Sequence, residues 1–190
     1  MEKKDLPIFL SILIVGLFTI FFIFTKNYEF ISYIITLGIL IFFILKTDKY
    51  FHYSQLAKWG FLIWVILHMA GGSIYVFGTK LYGLMLISLI GEPFNILKYD
   101  QVVHFFCYLV FTSFVYSIIK SFTKKNSNKI IVGIITILAA VGVGAFNEII
   151  EFSAVVFFGA TGVGGYYNNA LDLIFNFLGS LVAVIFLSRN

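Results

Sequence analysis

Apolar residues in this chain come in long unbroken runs, not in alternation with polar ones. Residues 6–25, 30–46, 60–77, 100–122, 130–158 and 169–187 form six such runs, parted by short polar stretches. A helix of about 20 mostly apolar residues crosses the hydrocarbon core of a bilayer, whereas barrel strands are shorter and alternate. The pattern therefore predicts an all-α integral membrane protein, a six-transmembrane-helix bundle making one membrane domain over residues 1–190. The second run is slightly short and takes length from its flanks. The first could open a signal peptide, but it is long for a signal core and no small-residue cleavage site follows, so it reads as a retained helix. Residues 79–99 fit no span. Their apolar part, 81–90, is too short to cross and ends at Gly91-Glu92-Pro93. A short interfacial or re-entrant segment, or a lid, is expected between the third and fourth helices.

Composition agrees with this pattern: 61% of residues are hydrophobic, 12% are charged, and mean hydropathy is +1.01. A soluble domain carries about a quarter charged residues. Cys107 is the single cysteine, so no internal disulfide is possible. The net charge of +4 matters less than its placement. With six spans, ten of the thirteen basic residues fall on the side of the termini, and Lys26, Lys80 and Lys98 fall on the other. Lysine and arginine collect in cytoplasmic loops, so both termini are expected inside.

Against this background the polar residues within the runs stand out. Glu148 and Glu151, with Asn147 beside them, interrupt the fifth run. A carboxylate there costs several kcal/mol unless something pairs with it. Asp100 and His104 are four residues apart, as are Asp172 and Asn176, so each pair shares a helix face. Asn168 and Asn169 precede Asp172 by four and three residues. At about 1.5 Å per residue, His104 lies roughly 6 Å below the outer end of its span, Glu148 roughly 15 Å and His68 roughly 13 Å. All these groups fall in the outer half of the bilayer. Asp100 alone would be an ordinary helix cap, and a lone His68 an ordinary core histidine. Together they make an acidic pocket that needs protons or a cation. A divalent metal fits, with His68, Asp100, His104, Glu151 and Asp172 as ligands, Glu148 as catalytic base, and Asn147 and Asn176 as supports. Mixed nitrogen and oxygen ligands suit zinc first, then manganese or iron.

Residues 99–106, Tyr-Asp-Gln-Val-Val-His-Phe-Phe, resemble the opening D-x-x-x-H-F helix of VanZ-like membrane proteins. Asn147-Glu148-Ile149-Ile150-Glu151-Phe152 resembles that group's later acidic helix, and residues 169–179 resemble its D-x-x-x-N-x-x-G helix. His68-Met69-Ala70-Gly71-Gly72 and the doubled glutamate are similar to the YjdF-like branch of bacterial inner-membrane proteins. The likeness spans residues 61–187. It departs before Asp172, where the loop is rich in Gly, Tyr and Asn, while that branch carries an acidic, Trp-containing one. The resemblance implies a multi-pass protein of the prokaryotic inner membrane. For the VanZ-like group it also implies a link to glycopeptide resistance, without a settled activity.

Two classes of function compete. One is a metal-dependent hydrolase or transferase acting on a membrane lipid or lipid-linked headgroup. The other is a cation- or proton-coupled transporter, or a non-catalytic lipid or antibiotic binder. Ion flux in proteoliposomes separates transport from catalysis. No nucleic-acid partner is expected, and the oligomeric state is open.

Overall fold

A computed structural model describes residues 5–158 and 165–189 of the chain. Lys3 and Lys4 of the basic count, and residues 159–164 of the Gly-rich loop, lie outside them. The chain divides into two compact units, Met1–Leu81 and Tyr82–Asn190.

The first unit holds α1 (Leu6–Phe24), α2 (Tyr28–Phe51) and α3 (Gln55–Ser73). Short polar residues set the helix starts. Asn27 accepts from the Phe30 amide at 3.4 Å, and Ser54 accepts from the Ala57 amide at 3.1 Å. These are side-chain caps of the usual kind. The second helix outruns the expected span by more than a turn, because Lys46–Phe51 stays helical. It stops at His52, whose φ of 49° is left-handed. Just beyond, buried Lys58 pairs with Asp48 at 2.6 Å, and Asp48 also accepts from the Tyr53 amide at 3.0 Å. The third helix, Gln55–Ser73, starts and ends earlier than expected. Residues 74–80 instead make a tight hairpin of β1 (Tyr75–Val76) and β2 (Thr79–Lys80), turning on Phe77 and Gly78 at φ 51° and 81°. Two positive φ values in a two-residue loop match the twist of antiparallel strands.

The second unit opens with another hairpin where an interfacial helix was one expectation. Here β3 (Met85–Ile90) runs antiparallel to β4 (Ile96–Lys98). Gln101 decides this. It is fully buried at the start of α4 (Tyr99–Phe122). Its Oε1 accepts from the Leu97 and Lys98 amides at 2.6 and 3.1 Å, and its Nε2 donates to the Asn95 carbonyl at 3.3 Å. The hairpin is thus tied to the first turn of α4.

Helices α5 (Lys129–Phe158) and α6 (Tyr166–Leu187) complete this unit. The inner face of α5 is one stripe at four-residue spacing: Val132, Thr136, Ala140, Gly144 and Glu148 are all buried. On α6 the buried face reads Asp172, Asn176, Gly179, Ser180, Ala183 and Val184. Gly179 brings α6 onto the backbone of α4: a Cβ there would strike the Phe105 carbonyl oxygen and lie 3.0 Å from the Leu109 nitrogen. One turn on, the Thr112 hydroxyl donates to Ser180 at 3.0 Å, so both buried hydroxyls are satisfied. Among the described residues, five helices (α1, α3, α4, α5 and α6) are long and apolar enough to cross a membrane. Many large side chains on their outward faces are exposed, among them Leu17, Ile66, Leu138 and Phe186. A lipid-facing surface requires this.

Candidate metal centre

The tight α4–α6 packing places Asp100 and His104 of α4 against Asp172 and Asn176 of α6. The stripe on α5 brings Glu148 to the same point. His104 is the hub. Its Nε2 lies 3.6 Å from Asp100 Oδ1, its Nδ1 lies 3.9 Å from Glu148 Oε1, and Nδ1 is 3.0 Å from Asn176 Oδ1. Asp172 and Asn176 are fully buried, and Glu148 is 5% exposed.

Asparagine amides hold the carboxylates in place. Asn168 Nδ2 donates to both Asp100 Oδ2 and Asp172 Oδ2, at 3.1 and 2.6 Å, bridging α4 and α6. Asn169 Nδ2 donates to Glu148 Oε2 at 3.2 Å, bridging α6 and α5. Asn147 Nδ2 donates to Glu151 Oε1 at 2.9 Å along α5. Three buried side-chain atoms of the cluster are left without a hydrogen-bond partner: Glu148 Oε1, Asp172 Oδ1 and Asn176 Nδ2. Two of the three are carboxylate oxygens, which want a proton or a cation.

Ligand-type atoms from Asp100, His104 and Asp172 lie within 4.8 Å of one another, and so do those from His104, Glu148 and Glu151. Carboxylates and an imidazole on facing helices, with amides around them, are donor types that a bundle-core metal site can use. Asp100, His104, Glu148, Glu151 and Asp172, which the spacing grouped, lie together in the structure. Asn176 and Asn147 are hydrogen-bonded to members of that cluster. His68 belongs to the first unit, where its ring lies among Phe30, Tyr33 and Trp64 at 5.9, 5.5 and 5.4 Å between centroids.

Residues 6–190 match the family described as a predicted membrane protein (DUF2238). The chain belongs to that family. No curated protein and no solved structure matches this DUF2238 chain. The family description and the helices long enough to span agree that it is a membrane protein crossing the bilayer several times.

Two contributors were not singled out by spacing. Asn168 bridges two carboxylates from different helices; its four-residue offset to Asp172 was visible, its reach to Asp100 was not. Gly144 makes room for Asn176 and Tyr108: a Cβ there would sit 2.9 Å from Asn176 Nδ2 and 3.1 Å from the Tyr108 hydroxyl.

Proposed function

We propose that this protein is a metal-dependent hydrolase or transferase that acts on a lipid or lipid-linked headgroup. On this reading six helices cross a prokaryotic inner membrane with both termini in the cytoplasm. The likeness to VanZ-like proteins and the YjdF-like branch belongs to the same proposal. It rests on four motifs, three of which contribute Asp100, His104, Glu148, Glu151 and Asp172. Asp100, His104 and Asp172 hold a divalent cation, zinc by first choice and manganese or iron next. A cation held there would supply a water of lowered pKa, and Glu148 on the neighbouring helix would take its proton.

The observation that carries this reading is the pair of oxygens without a hydrogen-bond partner, Asp172 Oδ1 and Glu148 Oε1, buried on facing helices around one imidazole. A purely structural polar core would do as well with hydroxyls and amides, at lower desolvation cost.

The lipid side of the proposal has its own support. Strand β3 exposes Leu86, Ile87, Leu89 and Ile90, so apolar side chains leave both faces of the hairpin. Phe94 at the hairpin tip meets Tyr167 at the start of α6, 5.2 Å between ring centroids. The apolar hairpin thus adjoins the end of α4 and α6 that carries Asp100 and Asn168. An open two-stranded hairpin has unpaired edges and cannot sit in hydrocarbon, but it suits the interface, where headgroups are.

The test is elemental analysis of protein purified in nanodiscs, beside H104A and D172A. Retained metal in the parent, lost in both variants, supports the reading. A metal-free parent overturns it.

A further inference from the structure

The five ligand-type side chains do not close on a single point. They form two overlapping triads that share His104, with Asp100 and Asp172 in one and Glu148 and Glu151 in the other. Each triad closes within 4.8 Å while the five side chains fall into two groups, which favours two positions over one. Each position has its own open oxygen: Asp172 Oδ1 in the first, on a fully buried residue, and Glu148 Oε1 in the second, on a residue 5% exposed.

We propose that the centre holds two divalent ions, one at each edge of the His104 ring. The ring assigns different ligands to them. With Asn176 Oδ1 accepting from Nδ1 at 3.0 Å, Nδ1 carries the proton and the lone pair is on Nε2, beside Asp100. The first position is therefore a nitrogen–oxygen site. The second is held by the carboxylates of Glu148 and Glu151 and suits a hard ion such as manganese or magnesium. Charge agrees: two divalent cations neutralise the four carboxylates of the two triads, and a single cation leaves two negative charges in a buried pocket.

This inference rests on the metal reading above and changes one role in it. With the second ion bound, Glu148 is a ligand. The proton of a water held on the first ion would then pass to solvent, not to Glu148.

The experiment strips the nanodisc-embedded protein of metal, saturates it with manganese alone, and removes free ion by dialysis. Manganese per chain and the electron paramagnetic resonance spectrum are then read together. The inference expects about two manganese per chain and a broadened spectrum from coupled ions. It expects about one, with an uncoupled six-line spectrum, in both E148Q/E151Q and D100N/D172N. One uncoupled ion in the parent overturns the inference and leaves the single-ion reading standing. Two uncoupled ions also overturn it, since they are not neighbours. No bound ion overturns both. If a double variant is not monodisperse, the parent spectrum decides.

Discussion

Asn168 and Gly144 are the residues through which the centre is most cheaply perturbed. Asn168 touches no ion in the proposal, yet one amide orients both Asp100 and Asp172. Groups of this kind are worth about 10–100-fold in metal affinity. N168A is therefore expected to weaken metal binding by about that factor while thermal unfolding moves little; an unchanged titration would count against the bridge. G144A acts from behind, because its Cβ would crowd Asn176 away from His104. G142A is the control, since a Cβ there meets nothing within 4 Å. Metal affinity should fall in G144A and hold in G142A, as measured by competition with a chromogenic chelator. The charged members of this cluster were legible in the sequence because an intramembrane carboxylate is conspicuous and four-residue spacing names a helix face. Asn168 was not, because its second partner depends on how α4 and α6 sit in register, and that is set by packing far along both helices.

The register is an element-scale property, fixed where the helices touch most closely. G179A would drive a methyl into the α4 backbone, and overpacking of this sort costs about 1–3 kcal/mol. We expect a lower unfolding temperature and, because α6 shifts against α4, weaker metal binding as well. Equal stability and affinity would mean that the two helices are not held at this point. Gln101 plays the same part for the hairpin. Q101A leaves the Leu97 and Lys98 amides without their acceptor, a loss of about 1–3 kcal/mol, and should raise protease sensitivity between β3 and β4. The cores of the helices followed directly from the apolar runs. Their ends did not, and neither did the two hairpins. Six apolar residues between Gly83 and Gly91 suit a short helix or a strand equally well, and a glutamine outside that stretch makes the choice.

For the whole molecule, the pattern of lysines and the outward apolar faces give one arrangement to test. On the proposed six crossings, the loop at Lys124 and Lys125 would lie in the cytoplasm and the β3–β4 hairpin outside. In a C107S background, a cysteine at Lys125 should resist an impermeant maleimide in whole cells and react after lysis. A cysteine at Glu92 should react in both. The reverse pattern would invert the topology and move the acidic pocket to the inner leaflet. The central claim is more local: a cation sits where α4, α5 and α6 meet. Its most direct measurement is anomalous diffraction at the zinc edge from crystals grown without chelator. The account predicts a peak about 2 Å from His104 Nε2, flanked by Asp100 and Asp172. No peak there, with Asp100, Glu151 and Asp172 facing away from one another, would contradict it.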